Sequence, residues 1–238
     1  MNLYKKDYKL LYQFQNRFLK QWATFGLPFY LTGGTALGRF YLNHRYSDDL
    51  DFFVNANSDF QKHLLLIKNE LQKEYKTDIS KTIVTDEFAR FFIEDNEITM
   101  KVEFVNDVAY RPGAPLKSKW GNIDTVTNIL ANKLTAIVGK DEPKDVFDIV
   151  TIATHYSFNW KEIFNHSKEK ALVNEIDIEQ RLFAFPISSL SSVDWLIKPV
   201  ETGIFKQQLQ KIAGDFLLAK NNSLGRGKTG IEDAQILR

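Results

Sequence analysis

The chain has 238 residues, 44% of them hydrophobic and 26% charged, enough to bury a sizeable core as one large domain or two small ones. A formal net charge of +1 excludes a global electrostatic grip on nucleic acid, so any RNA contact falls to a local basic patch. Without cysteine there are no disulfides, thiolate metal sites or cysteine nucleophiles, as befits a reducing cytosol. The start, MNLYKKDYKLLYQF, carries charge but no apolar signal core, and no apolar run approaches membrane-spanning length. The expectation is a soluble, cytoplasmic protein, with no membrane partner, whose abundant phenylalanine makes an aromatic-rich core.

From Asp7 to about Phe25, Leu11, Phe14, Phe18, Leu19 and Trp22 recur at helical spacing, and Gly26 and Pro28 end the helix. A short strand from Phe29 to Thr32 leads to Gly33-Gly34-Thr35. Two residues without a Cβ let the backbone turn sharply and approach a ligand closely. The segment Ala36 to Tyr41 then has helical character, so the backbone N–H groups at this turn form a concavity suited to phosphate. A second strand runs from Asp49 to Val54. Alternation sends Asp49 and Asp51 to one side while Leu50 and Phe52 enter the core. Two carboxylates on one face repel unless a cation joins them, and hard oxygen donors favour Mg²⁺ or Mn²⁺.

Taken singly, Gly-Gly-Thr is often only a tight turn, and Asp-x-Asp is common by chance. Together, Gly33-Gly34-Thr35-x-Leu37 and Arg45-x-Ser47-x-Asp49-Leu50-Asp51-Phe52 form a specific pattern. It resembles the polymerase-β-like nucleotidyltransferase superfamily, in particular its AbiEii/AbiGii branch, the toxin half of type IV toxin–antitoxin systems.

Downstream, Ser58 is a suitable N-cap for a helix through Glu74, with Leu64, Leu65, Ile67 and Leu71 as its apolar side. Three strand-like runs follow, 79–85, 88–93 and 98–105, with Asp95-Asn96 as a hairpin turn. In the third, Met100, Val102 and Phe104 face one way and Lys101 and Glu103 the other. The resemblance points to Glu103 as a third acid completing the metal site. A solvent-facing glutamate paired with Lys101 is the equal alternative.

The loop Arg111-Pro112-Gly113-Ala114-Pro115 marks a boundary, giving a core over 1–118 and a mainly helical region over 119–238 that forms one wall of a cleft. Asp124 can cap a helix through Val138 that carries Lys133. Pro143 starts another, on which Asp145 and Asp148 share a face. A lysine followed by Asp-x-x-Asp resembles the same family, with Lys144 where many members have arginine. The C-terminal third reads as amphipathic helices and a flexible basic tail, NNSLGRGKTG, in which Arg226 and Lys228 are candidate phosphate contacts. The tail fails as a P-loop, because Asn222 stands where its first glycine would be. His44 lines the cleft.

The expected fold is α+β, a mixed sheet flanked by helices and followed by a helical region. The resemblance implies a metal-dependent nucleotidyltransferase moving an NMP from an NTP by two-metal chemistry. On that expectation Asp49 and Asp51, with Glu103, hold metal, and Gly33, Gly34, Thr35 and Arg45 bind phosphate. Lys133 offsets triphosphate charge, Asp148 orients Lys133 or acts toward the acceptor, and Asp145 supports it. The resemblance also implies an RNA acceptor such as a tRNA end, and a cognate antitoxin. A small-molecule nucleotidyltransferase of antibiotic-modifying type and a non-catalytic nucleotide- or protein-binding member of the fold are the alternatives.

Overall fold

In the computed structural model, which describes residues 7–96, 98–140 and 142–237, the chain forms two units. Residues 1–6, the start of the charged N-terminal stretch, lie outside the described residues. One unit comprises residues up to Ala36, Ser47–Ala109 and Pro115–Asp124; the other comprises Leu37–Tyr46, Tyr110–Ala114 and Thr125 onward. The first carries the strands and is called the sheet unit. The second is the helical unit.

The sheet unit begins with α1 (Tyr8–Trp22), capped by the Asp7 carboxylate, which accepts from the N–H groups of Lys9 and Leu10. Its apolar face, Leu11, Phe14, Phe18, Leu19 and Trp22, is buried as the periodicity requires. Strand β1 (Tyr30–Thr32) runs into α2 (Gly33–Leu37), which widens into a π-type turn over Gly38–Leu42 and ends at Asn43 in the left-handed conformation. Strand β2 (Leu50–Asn55) and helix α3 (Phe60–Glu74) follow. Ser58 does not cap α3. Asn57 accepts the Asp59 N–H with its side chain, and the helix starts one residue later than the sequence suggests.

Next come β3 (Lys76–Thr77), β4 (Ile83–Val84), β5 (Phe88–Asp95), β6 (Ile98–Asp107), β7 (Leu116–Ser118) and β8 (Gly121–Ile123). Their order is β3-β5-β6-β2-β1-β8-β7, with β4 on β5. The sheet is mixed: β2 pairs parallel with β6 and β1 with β8, and the hairpins are antiparallel. Three features depart from expectation. The run from Ile79 opens with a 3₁₀ turn because the Asp78 side chain accepts the Ser80 N–H. The short β7–β8 hairpin stands where only a loop was expected. Asp124 does not cap a helix: its N–H donates to the Leu31 carbonyl and its carboxylate accepts from the Thr32 hydroxyl, both on β1. The core is aromatic as expected, with Trp22 4.3 Å from Phe52 and Phe52 5.5 Å from Phe104 between ring centroids. Burying a large apolar side chain contributes roughly 1.5–3 kcal/mol, so this cluster anchors α1 to the β2–β6 face.

The helical unit contains α4 (Val126–Gly139), α5 (Pro143–His155), α6 (Trp160–Lys168), α7 (Glu175–Phe183) and α8 (Thr202–Leu217). Thr125 caps α4, its hydroxyl accepting the Asn128 N–H, and α4 packs against α5, α6 and α7. The tail is not a loose basic strand. The Asn222 amide donates to the carbonyls of Ala153 and Tyr156, Ser157 bridges to Gly230, and the Leu237 N–H reaches the Phe40 carbonyl. Arg226 and Lys228 stay exposed, Arg226 lining a 540 Å³ cavity with Glu162 and Glu232. No described helix is long and apolar enough to cross a membrane.

Candidate active site

The central carboxylates are placed by strand register. Asp51 on β2 stands opposite Glu103 on β6, so two acids from parallel neighbours share one face, while Leu50, Phe52, Val102 and Phe104 fill the other. Asp49 lies just before β2, on a loop tied down by α1. The Gln15 amide donates to the carbonyls of Ser47 and Asp48, each at 3.1 Å, and the Tyr12 hydroxyl accepts the Ser47 N–H. The glycine turn comes against the same acids. Gly33 has φ +66°, and a Cβ there would lie 2.8 Å from Asp51 Oδ2. Only glycine lets the backbone pass so close. The Thr35 side chain is wholly buried, its hydroxyl donating to the Asp49 carbonyl.

Two cations balance the acids. Arg90, opposite Glu103 on β5, donates from Nε to Glu103 Oε1 at 2.6 Å. Lys101 Nζ stands 3.0 Å from Asp49 Oδ2 and 3.3 Å from Glu103 Oε1. Burial, then the charges of Glu103 and Asp49, push the Asp51 carboxyl up to about 7. Burial would raise Glu103 as well, but Lys101 and Arg90 outweigh it and hold Glu103 below the usual range. Burial alone would lower the Lys101 ammonium, yet Asp49 and Glu103 raise it. The chemistry of this donor set fits a divalent cation: the acids are hard oxygen donors, and burial and their mutual repulsion raise the Asp51 carboxyl. Among the described residues no three acidic or imidazole groups converge on one point, and the Lys101 ammonium stands between two of the acids.

The second charged cluster lies within the helical unit and is centred on Asp148, which is 0% exposed. Arg45 grips it bidentately, Nε to Oδ1 at 2.6 Å and Nη2 to Oδ2 at 2.7 Å. Lys133 Nζ lies 2.8 Å from Oδ2, and His44 Nε2 lies 2.8 Å from Oδ1. Lys133, 8% exposed, also donates to Asp145. Trp195 covers the Arg45 guanidinium at 5.7 Å from its ring centroid. Burial would raise Asp148, but Arg45 and Lys133 drive it well below the ordinary carboxylate value. For Lys133 burial lowers and Asp148 and Asp145 raise, with a net rise. Burial lowers His44, so the imidazole is neutral and donates its Nε2 proton to the ionised Asp148.

A family model described as nucleotidyl transferase AbiEii toxin, type IV TA system, matches residues 17–219. The chain belongs to this family. Its solved structural relatives include JHP933 from Helicobacter pylori, at 20% identity and a TM-score of 0.59, covering 89% of this chain and 92% of that one. MenT4, a nucleotidyltransferase toxin from Mycobacterium tuberculosis H37Rv, aligns at 15% identity and a TM-score of 0.53, covering 89% of this chain and 84% of that one. At these identities the likeness shows the fold, the mixed α/β nucleotidyltransferase fold expected from the sequence. No curated protein matches the sequence. As an AbiEii member the chain is a nucleotidyltransferase of toxin type, a class that uses an NTP, generally with a divalent metal ion, and is paired with an antitoxin.

Within this AbiEii protein the predicted residues fall into two sets. Gly33, Gly34, Thr35, Asp49, Asp51 and Glu103 belong to the sheet unit, and Arg45, Lys133, Asp145 and Asp148 to the helical unit. Glu103 neighbours Asp51 across the β2–β6 pair and is also paired with Lys101, and its side chain, 15% exposed, does not face solvent. Sequence reasoning missed Arg90, Gln15 and Trp195. Strand alternation in β5 marks Arg90 as a candidate, but the expected Asp95-Asn96 turn would set it against Lys101; Asp95 instead stays in β5 and pairs with Ile98, which sets Arg90 against Glu103. Gln15 and Trp195 carried no such signal.

Proposed function

We propose that this chain is the toxin of a toxin–antitoxin pair that transfers an NMP from an NTP to an RNA hydroxyl, a tRNA-like end being the acceptor class, in the cytoplasm. The observation that carries the reading is the Asp51–Glu103 pair, with Asp49 beside it and the Gly33 backbone packed against it. Asp49, Asp51 and Glu103 would hold Mg²⁺ or Mn²⁺. When bound, such an ion lowers the pKa of an attacking hydroxyl and offsets charge on the transferring phosphate. The backbone N–H groups of Gly33, Gly34 and Thr35, at the start of α2, bind the phosphates. Gln15 and Tyr12 hold the Ser47–Asp48 loop and so fix the backbone that presents Asp49. Lys133 supplies positive charge toward phosphate through an ammonium that Asp145 and Asp148 position. Arg45 completes that network by fixing Asp148.

The test is to incubate the protein, and its Asp49→Ala and Asp51→Ala variants, with each labelled NTP, Mg²⁺ and total RNA. Label on RNA with the parent chain alone is the expected result. Activity retained by either variant refutes the metal assignment. Label on a small molecule in place of RNA replaces the acceptor class. Metal-dependent nucleotide binding without product in any fraction makes the protein a binding member of the fold.

A further inference from the structure

The carboxylate cluster holds a feature that nucleotidyl transfer by itself does not require. Lys101 stands two residues before Glu103 on β6, so strand alternation puts both side chains on one face. Its ammonium contacts Asp49 Oδ2 at 3.0 Å and Glu103 Oε1 at 3.3 Å. Arg90 holds Glu103 from the neighbouring strand through its Nε at 2.6 Å and, among the described residues, makes no ion pair with Asp49 or Asp51. The lysine is a point charge on a flexible four-carbon stem, with its side chain about a quarter exposed at 24%.

Charge counting shows what the lysine does. Asp49, Asp51 and Glu103 carry three potential negative charges, and Lys101 and Arg90 supply two positive ones. A divalent ion that replaces Lys101 would match the three acids, with Arg90 supplying the remaining positive charge. The ammonium and the ion compete for the same oxygens, and two cations cannot share them at contact distance without strong repulsion.

We propose that Lys101 is the resident counter-ion of the metal site: it bridges Asp49 and Glu103 in the metal-free protein and is displaced when a divalent cation binds. The proposal rests on the metal reading above. Its consequence is a built-in brake. The protein keeps a folded, electrically balanced site without metal, and its affinity for the bare ion is set low by the lysine that must leave.

The test is Mn²⁺ binding in the absence of nucleotide, followed by electron paramagnetic resonance, for the parent chain and for Lys101→Met, Lys101→Arg and Asp51→Asn. The expected result is binding at least about tenfold tighter in Lys101→Met, because the competing charge is gone. Lys101→Arg should stay near the parent, and Asp51→Asn should lose binding. Equal or weaker binding in Lys101→Met, with Asp51→Asn still defective, overturns the lysine's role and leaves the metal site standing. No Mn²⁺ binding to the parent or to Lys101→Met overturns both. The unsubstituted protein gives a second measurement that needs no variant to fold. The ¹⁵N resonance of the Lys101 ammonium should shift saturably as Mg²⁺ is added, and a resonance that does not move refutes displacement.

Discussion

Asp148→Asn removes one charge from the centre of the helical unit and should be among the most damaging isosteric changes in the chain. The carboxylate is 0% exposed and receives the Arg45 fork at 2.6 and 2.7 Å, Lys133 at 2.8 Å and His44 at 2.8 Å. Asparagine offers one oxygen in place of two and points N–H donors at groups that are themselves donors. Lys133 keeps Asp145. Arg45, 2% exposed, keeps the Tyr46 carbonyl but loses the Asp148 carboxylate. Breaking a buried ion pair by removing one partner costs about 3–5 kcal/mol, against a total stability of about 5–15 kcal/mol. For a chain of this size each kcal/mol lowers Tm by about 2–4 °C, so the midpoint should fall by about 6–20 °C. Urea denaturation and calorimetry of Asp148→Asn, Arg45→Met and the double variant measure it. The two substitutions should be non-additive by about 1–3 kcal/mol, since the second removes the charge that the first strands. A loss below about 1 kcal/mol in Asp148→Asn, or strict additivity in the cycle, would refute the buried-network reasoning.

The same network fixes an acid limb. Asp148 is held well below the ordinary carboxylate value, so its contribution is complete above the unfolded pKa of about 4 and is lost as pH falls through the lower folded value. Stability should thus fall steeply below about pH 4, and Asp148→Asn should flatten that limb in a pH series of unfolding curves. Gly33→Ala places a Cβ 2.8 Å from Asp51 Oδ2 at φ +66°. It should cost about 1–3 kcal/mol and reduce transfer at least about a hundredfold, and near-parent activity would contradict the close approach of turn and acid. Gly225→Ala would drive a Cβ to 1.8 Å from the Tyr156 carbonyl oxygen. Backbone cannot yield there, so the tail should detach and limited proteolysis should cut near Asn221–Lys228, sites that resist cleavage in the parent.

The sequence by itself determined the parts whose geometry is local. Helix α1 followed from its apolar spacing, and β2 with its alternating Leu50, Asp51 and Phe52 followed from the two-residue strand period, while Asp49, expected in the strand, lies on the loop before it. Gly33 could be singled out because a residue without a Cβ is legible in one dimension, and its φ of +66° is what that freedom serves. Lys133, Asp145 and Asp148 lie close in the chain, on consecutive helices, and they meet. Tertiary structure alone decided which long-range partner each charge received. Arg45 meets Asp148 across a sequence separation of 103 residues, and Trp195, from a segment without regular pattern, closes over it. Gln15, on the helix face that reads as core, reaches the backbone that delivers Asp49. Lys101 as a bridge between Asp49 and Glu103 depends on β6 lying parallel beside β2. The tail that reads as flexible is held by Asn222 and Gly225, because a backbone carbonyl at the end of α5 has no sequence signature until the chain packs against it. Periodicity reports which face of an element is buried. It carries no information on which distant charge or carbonyl will be waiting there.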